Sequence, residues 1–241
     1  MKKNINFCLC VATVKSKGIN LILVRFYRKS SKYNLELSTD LKEIITGLML
    51  GDLFAEKIKP NSNTRLQFKQ SIKNKIYIDY LYNIFKEYCN SEPKETTSVD
   101  KRPGKKELNV SIKFWTQSLP CFNQFRELFY DKSGKKIIPL NLEEIIAARS
   151  LAYWAMDDGY KSGNGFYFCT ESYSLEDNYK LSKILKNRFN LDCGVHKHTN
   201  GFRLYVFSNS KDKLLELVKP YLINHFYYKF AFALQQPKAK V

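Results

Sequence analysis

One pattern occurs twice in this chain, and the repetition limits the folds that it can adopt. The stretch TDLKEIITGLMLGD ends at Asp52, and the stretch NLEEIIAARSLAYWAMDD ends at Asp158. Each stretch opens with a helix-start signal, in which Asp40 or Asn141 can cap the helix and a glutamate follows three residues later. An apolar helical segment then runs to the aspartate. We therefore expect two copies of one structural unit.

The segments that follow each helix also correspond. Short β-rich segments come first, TRLQFKQS and GFYFCTES, and then amphipathic helices, NKIYIDYLYNIFKEY and SLEDNYKLSKILKNRF. Further β-like segments come next, ELNVSIKFWT and GFRLYVFSNS, and each copy closes on a helix, CFNQFRELFYD or KDKLLELVKPYLI. This order predicts an α/β (α+β) fold of two αββαββα units related by a pseudo-twofold axis.

The same pattern predicts the domain boundaries. Residues 1–39 are an N-terminal extension of unknown role, residues 40–135 are the first half, and residues 136–241 are the second half. The polar, proline-containing stretch of residues 91–107 is expected to be an exposed loop, and residues 131–139 to connect the halves.

Small residues suggest how the two repeated helices meet. Gly47 and Gly51 lie four residues apart on one helix face, and Ala152 and Ala155 give the second helix a comparable surface. If these faces pack together, the two terminal aspartates come close to each other. The alternative is two surface aspartates that end unrelated helices.

The composition favours a polyanionic partner. The formal net charge is +17, which indicates nucleic acid or an anionic membrane surface, with a solvated basic surface as the plainer alternative. No stretch approaches the roughly 18 apolar residues of a membrane span, and the best candidate is interrupted by Lys15 and Lys17. That N-terminal stretch is a processed targeting segment, an extension or a fused upstream reading frame.

The cysteines and histidines argue against a C-x-x-C site and against a histidine-metal nuclease site. The six cysteines form no C-x-x-C pair, which indicates reduced thiols of an intracellular protein. The three histidines are too few for a histidine-metal nuclease motif. Abundant Lys, Asn, Ile, Phe and Tyr suggest AT-rich coding and an organellar gene.

The paired aspartates suggest a chemistry. Two carboxylates brought together repel each other unless a proton or a metal ion intervenes. Mg²⁺ suits such oxygen ligands, since it takes one or two carboxylates together with waters and substrate phosphate. With the basic composition, this arrangement points to hydrolysis of nucleic acid.

Several stretches in the same order resemble a known family. TGLMLGDLF and LAYWAMDDG resemble the two motifs of the single-chain, double-motif LAGLIDADG homing endonucleases, as do FNQFRELFYDKSGKKIIP and KPYLINHFYYKF. The resemblance runs from about residue 40 to about residue 230. It implies a monomer whose paired motif helices form the interface, and whose antiparallel sheets form a saddle for double-stranded DNA. It also implies Mg²⁺-dependent cleavage of a long asymmetric site, with Mn²⁺ or Ca²⁺ able to substitute for binding.

The resemblance also assigns roles to residues. The metal ligands are the carboxylates of Asp52 and Asp158 and the backbone carbonyls of Gly51 and Asp157. Polar residues that organise water or stabilise phosphate charge are Gln70, Glu171, Lys136 and Lys229, with His198 as a further polar candidate. The alternative for Gln70 and Glu171 is that they are simply polar residues at strand ends. The alternative for Lys136 is a solvated lysine.

The strands are expected to contact DNA, because alternate side chains of a strand face one side of its sheet. The candidates are Arg65, Gln67, Lys69, Lys113 and Arg203. Trp115 and Trp154 have apolar neighbours and are expected in the core.

Two other functions fit the same scaffold. One is an intron RNA maturase, with intron RNA as a second partner, and the other is a DNA-binding regulator that does not cut. The family and the composition together suggest residence in the mitochondrion, with the chloroplast as the alternative, and no membrane partner.

Overall fold

The structure, a computed structural model, describes residues 7–16, 19–28, 35–99 and 108–230. The chain divides into two compact units, Met1–Glu36 and Leu37–Val241. In the first unit, strands β1 (Phe7–Ser16) and β2 (Ile19–Arg28) pair as an antiparallel hairpin. Within the described residues, no helix is long and apolar enough to cross a membrane.

The second unit contains two successive sets of helices and strands. Its first set comprises α1 (Thr39–Leu50), β3 (Phe54–Glu56), β4 (Arg65–Ser71), α2 (Lys75–Phe85), β5 (Lys94–Val99), β6 (Leu108–Trp115) and α3 (Asn123–Phe129). Its second set comprises α4 (Leu142–Ile145), α5 (Ala148–Asp158), β7 (Gly159–Ser162), β8 (Gly165–Phe168), α6 (Leu175–Phe189), β9 (Cys193–His198), β10 (Gly201–Val206) and α7 (Lys211–Val218). A 3₁₀ segment, Asn224–Phe230, follows the last helix.

Each set forms a four-stranded antiparallel sheet with the same strand order. The first sheet has the order β3-β4-β6-β5, and the second has β7-β8-β10-β9. In both sheets alternate residues are buried against the helices, such as Leu66 and Phe68 in β4 and Phe166 and Phe168 in β8. No helix among residues 37–99 and 108–230 covers the other face of either sheet, which is called the open face below. The predicted pair of αββαββα units is therefore confirmed.

The predicted exposed loop at residues 91–107 is wrong in part. Residues Lys94–Val99 form β5, which pairs with β6 at the edge of the first sheet. Most of its side chains are exposed, so the strand shows no apolar alternation and its composition resembles that of a loop. Residues 100–107 lie outside the described part of the chain.

The predicted cap of the first helix is wrong, whereas Asn141 stands at the N-cap position of α4 without a capping side-chain hydrogen bond among the described residues. At the start of α1, the Oγ atom of Ser38 accepts a hydrogen bond from the Leu41 N–H at 3.2 Å. Asp40, the predicted cap, instead forms an ion pair with Arg149 of α5. In the second copy, the predicted continuous helix from Asn141 is interrupted, because residues 146 and 147 are extended and separate α4 from α5.

The two tryptophans have different environments. Trp154 is fully buried and stacks on Phe168 with 4.0 Å between ring centroids, as predicted. Trp115 is not in the core. It lies half-buried on the open face of the first sheet, where Arg65 and Lys113 approach its ring at 5.6 Å and 4.9 Å.

Candidate active site at the paired helices

Helices α1 and α5 pack against each other where the sequence predicts small residues. A Cβ atom on Gly47 would lie 2.1 Å from the carbonyl oxygen of Ser150, so only glycine allows this approach. A Cβ atom on Gly51 would lie 2.7 Å from the side chain of Asp157. Ala152 and Ala155 are fully buried. The helix termini are therefore held side by side.

Three aspartates gather at the ends of these helices. Asp52 lies just beyond α1, and Asp157 and Asp158 are the last two residues of α5. The backbone N–H of Asp52 donates a hydrogen bond to Oδ2 of Asp157 at 3.2 Å, which ties the two helix ends together.

Burial and mutual repulsion disturb the ionisation of the α5 aspartates. Burial raises the pKa of Asp158 to about 7, with a contribution from the nearby charge of Asp52. Burial raises the pKa of Asp157 well above its usual range, and Asp52 and Asp158 add to this effect. The buried hydroxyl of Tyr77 lies near Asp157, and burial together with the charge of Asp157 raises the pKa of Tyr77 well above its usual value.

Two lysines explain why aspartates are tolerated at the negative ends of helices. Nζ of Lys136 donates to the carbonyl oxygen of Gly51 at 2.5 Å. Nζ of Lys229 donates to Met156 at 2.6 Å, and to the flanking carbonyls of Ala155 and Asp157 at 3.3 Å. Each lysine thus donates to carbonyls at the end of one helix and places a positive charge at its negative end.

The environment of these lysines is less favourable to charge than water. Burial lowers the pKa of both Lys136 and Lys229, whereas the nearby aspartates oppose that shift. The nearby charges of both lysines in turn lower the pKa of Asp158. The site is therefore a cluster of opposite charges partly withdrawn from solvent.

Gln70 extends this cluster into the first half. Its Nε2 donates to Oδ2 of Asp52 at 2.8 Å, and its Oε1 accepts from Nδ2 of Asn74 at 3.1 Å. Nε2 of His225, in the last 3₁₀ segment, lies 3.3 Å from Oδ1 of Asn74. Neither Asn74 nor His225 was predicted as a site residue, although His225 lies in the stretch KPYLINHFYYKF that resembles the family.

Among the described residues, the second half shows no matching chain of hydrogen bonds. Counted along the chain from the equivalent strand positions Gln67 and Tyr167, Gln70 corresponds to Thr170 and not to Glu171. Glu171 lies in the turn that follows β8, and its ion pair with Arg203 places its side chain over the open face. Thr170 is buried in the core, where its hydroxyl contacts Asn178 at 2.5 Å.

Glu171 pairs with a residue that the sequence analysis assigned to DNA. It forms an ion pair with Arg203, and its Oε1 lies 3.7 Å from Nδ1 of His198. Arg203 also donates to the hydroxyl of Tyr160 at 2.6 Å. The structure therefore places Glu171, His198 and Arg203 together, but not in hydrogen-bond contact with Asp158 among the described residues.

The other DNA-contact candidates share the open face of the first sheet. Lys69 is opposite Lys113, and Gln67 is opposite Trp115, in the pairing of β4 with β6. Lys69 is exposed. Arg65 forms an ion pair with Glu56 at 2.6 Å on the neighbouring strand, so its charge is already partly balanced.

The oxygen atoms at the helix ends fit a Mg²⁺ ion. The carboxylates are hard oxygen ligands, and the repulsion that raises the pKa of Asp158 is of the kind that a cation relieves. No group of three His, Cys, Asp or Glu side chains that could hold a metal is present in the described residues. An ion would thus need water and substrate phosphate oxygens as well, which is usual for Mg²⁺. The Gly51 and Asp157 carbonyls each accept from a lysine, which leaves a second lone pair.

Comparison with known proteins gives consistent results. Residues 42–214 match the model of the LAGLIDADG DNA endonuclease family. The chain is 35% identical over 204 residues to the cytochrome b mRNA maturase bI2 of Saccharomyces cerevisiae. The matched region covers 80% of this chain and 48% of that protein. It is 29% identical over 222 residues to the probable intron-encoded endonuclease 1 of Wickerhamomyces canadensis, covering 89% and 93%.

A solved structure shares the architecture. The homing endonuclease I-WcaI bound to its DNA recognition sequence superimposes with a TM-score of 0.76 and 29% identity, covering 81% of this chain and 88% of that one. The present chain spans only about half the length of the Saccharomyces relative.

Proposed function

Because this chain belongs to the LAGLIDADG DNA endonuclease family, we propose that it is a homing endonuclease that cuts both strands of a long, asymmetric DNA site. The observation that carries this proposal is the meeting of the two motif helices. It brings Asp52 together with Asp157 and Asp158, and it places a lysine at each helix end. One carboxylate-centred half-site would serve each strand.

Each residue of the cluster has a task in this proposal. Asp52 and Asp158 would hold the metal ions, and the carbonyls of Gly51 and Asp157 would complete their protein ligands. Gln70 fixes the orientation of the Asp52 carboxylate through its 2.8 Å hydrogen bond. A Mg²⁺ ion bound there would supply Lewis acidity and a more acidic bound water.

The lysines would act on the substrate through charge. Lys136 and Lys229 are fixed by hydrogen bonds to backbone carbonyls, so their positive charges need no reorganisation when a phosphate arrives. Because burial lowers the pKa of each lysine, each also holds its proton less tightly than an exposed lysine does. Both features suit stabilisation of the charge that develops on a cleaved phosphodiester.

Double-stranded DNA is the proposed partner. The relative I-WcaI is bound to its DNA recognition sequence, and the net charge of +17 supports binding to a polyanion. Both repeats lie in one chain, so a monomer supplies both half-sites. Since the two halves differ in sequence, the target would be asymmetric.

We further propose that the protein acts in the mitochondrion. The support is a relative named as a cytochrome b mRNA maturase and the amino-acid composition, with the chloroplast as the alternative. Detection of a tagged copy in isolated mitochondria of the source cells would test this, and recovery in plastids would contradict it.

The endonuclease is tested with a plasmid that carries the joined exons flanking the host intron. With Mg²⁺, the wild-type protein should linearise this plasmid and leave a plasmid without the junction intact. Asp52→Asn and Asp158→Asn should abolish linearisation while DNA binding is kept. Cutting at the normal rate by either variant would refute the assigned metal sites. Binding without cutting by the wild-type protein would refute the nuclease.

An RNA maturase is the second candidate, since the chain is 35% identical to a protein named as one. The comparison that separates the two functions is the affinity of the wild-type chain for the host intron RNA and for the exon-junction duplex. If the protein promotes splicing, Asp52→Asn should leave that promotion unchanged, because RNA folding needs no carboxylate-bound metal for hydrolysis.

A further inference from the structure

The open face of the second sheet is covered by an aromatic cluster, which we define as Tyr160, Tyr167, His196, Tyr205 and Phe207. Tyr167 stands at its centre, with ring centroids 5.5 Å from Tyr160 and 4.5 Å from Tyr205. His196 stacks on Tyr205 at 5.0 Å, and Phe207 lies 5.6 Å from Tyr205. The opposite face of the same strands holds the buried core, so the cluster lies on the side away from α6.

The equivalent face of the first sheet has a different chemistry. There Lys69 and Lys113 face each other across β4 and β6. At the matching register of the second sheet, the strand β10 carries Arg203, which faces His196 and is ion-paired with Glu171. Among the described residues, the first face therefore carries two lysines without an ion pair, Lys69 and Lys113, whereas the arginine of the second face is paired with Glu171.

Two tyrosine hydroxyls of the aromatic cluster already have partners. The hydroxyl of Tyr167 lies 2.7 Å from Nδ1 of His196, and the hydroxyl of Tyr160 accepts from Arg203 at 2.6 Å. A group that already has a partner gains little by exchanging it for a base edge. These two hydroxyls are thus poorly suited to recognise bases through hydrogen bonds.

The packing of the rings decides what the face can bind. Tyr160 and Tyr167 are nearly parallel at 20°, and His196 and Tyr205 at 27°, so neighbouring rings cover one another's faces. The Arg203 guanidinium lies 5.5 Å over the ring of Tyr160. Unpaired bases bind to exposed ring faces. Rings that stack on one another leave less ring face free for a base, and the carbon surface that stays accessible, such as the 40%-exposed Phe207, is apolar and suits contact with a methyl group.

The cluster adjoins the catalytic cluster. Strand β7 begins at Gly159, directly after Asp158, and the N–H of Cys169 donates to the Asp158 carbonyl at 2.9 Å. A duplex whose phosphates reach Asp158 would therefore lay its adjoining base pairs along the aromatic face. In the major groove of a duplex, the apolar group offered by a base is the C5-methyl of thymine.

We propose that the second half of the chain recognises its half-site through thymine methyl groups, by means of the aromatic cluster. The first half recognises its half-site through charged and amide side chains. This inference rests on the proposed function, since it concerns the duplex that the endonuclease would cut. It predicts a target whose second half-site is rich in thymines. Base-pair changes that leave those thymine methyl groups in place should have little effect on binding.

The first experiment identifies a duplex and then removes methyl groups. The full-length chain, in Ca²⁺, selects binders from a randomised 30-base-pair library. Each half of the selected duplex is then resynthesised with deoxyuridine in place of thymidine, which deletes the methyl and leaves every hydrogen bond. Burial of one methyl group corresponds to about a fourfold change in Kd. We expect a roughly fourfold weaker Kd for each contacted thymine that is replaced, and only in one half of the duplex.

Variants at matching positions assign that half to the aromatic cluster. Tyr167→Ala should remove most of the difference between thymine and uracil, whereas Tyr167→Phe, which keeps the ring, should retain it. Gln67 occupies the same register in the first sheet. Gln67→Ala should change base preference in the other half and leave the uracil effect unchanged.

Each contrary result is distinct. If no duplex is enriched, both the proposed function and this inference fail. If a duplex is enriched but uracil has no effect, or an equal effect in both halves, the inference fails and the nuclease stands. If single-stranded RNA competes for the protein and Tyr167→Ala abolishes that competition, the face binds unpaired bases, and the inference is overturned.

Discussion

Nζ of Lys136 lies 2.5 Å from the carbonyl oxygen of Gly51, so a residue that follows the first half of the chain caps the helix with which that half begins. Lys229 makes the corresponding contacts with the end of α5. Each of the two lysines thus lies at the end of one motif helix. Each neutralises a helix end that also carries a catalytic candidate.

Replacing one lysine should impair one strand cut more than the other. Lys136→Met or Lys229→Met removes a fixed positive charge, and loss of one such stabilising group typically slows catalysis by about 10²–10³-fold. Nicked plasmid should then accumulate on a gel while linear product is delayed. Lys135→Met, in the same turn and exposed, is the control and should cut normally. Equal slowing of both strands by either variant would contradict separate roles.

Changing Gln70 to Glu should affect the first half-site alone. The new carboxylate would stand at the position from which Gln70 now donates to Asp52 at 2.8 Å, so attraction becomes repulsion. We expect cleavage of one strand to fall by at least tenfold, and higher Mg²⁺ to restore part of it. Gln124→Glu, an exposed change of the same charge, serves as the control and should cut as the wild type does. Undiminished cutting of both strands by Gln70→Glu would show that this contact has no role.

The metal-free protein should lose stability as the pH rises from about 4 to about 7. The pKa of Asp158 is about 7 in the folded chain, against an ordinary value of 3.8. In that interval the folded state holds a proton that the unfolded state has lost, so stability decreases with pH. The difference between the two pKa values sets an upper bound of about 4 kcal/mol on the loss in the free energy of unfolding. Thermal melts in EDTA would measure the loss, and Asp158→Asn should reduce it.

A methyl group at position 47 should be strongly destabilising. In an ordinary helix, Gly→Ala stabilises by roughly 0.5–1 kcal/mol, but here the added atom would lie 2.1 Å from the Ser150 carbonyl oxygen. The two helices must separate, so we expect a loss of about 3 kcal/mol or more in denaturant unfolding. Gly163→Ala has no heavy atom within 4 Å of the new Cβ and only backbone strain at φ +56°, so it should cost about 1 kcal/mol. Similar losses for the two variants would contradict this account of the contact.

The sequence allowed the repeated architecture to be predicted because periodicity and spacing recur. The helix α6 begins at Leu175, directly after the capping Ser174, as its polar start and apolar spacing predict. β3 and β7 have only three and four residues, too few for a detectable alternation. β5 escaped detection because an exposed edge strand needs no apolar face.

The residues of the candidate site were easier to predict from the sequence than the contacts between them. Asp52, Asp158, Lys136 and Lys229 lie in motifs, and the structure gathers them. The pairing of Glu171 with Arg203 joins a turn residue to strand β10 across 32 positions of the chain, which a local pattern does not predict. The contact between His225 and Asn74 joins residues 151 positions apart, and no local pattern encodes such a separation.

The close approach of Gly47 to Ser150 also bears on how such chains can change. The open sheet faces tolerate divergence, as their different side chains show, whereas this helix contact admits almost no added atoms. If halves of two such proteins were recombined into a chimera, a few positions in the contact between α1 and α5 would decide whether the halves pack together. New specificities could then arise by exchanging halves, provided that the residues of this helix contact stay unchanged.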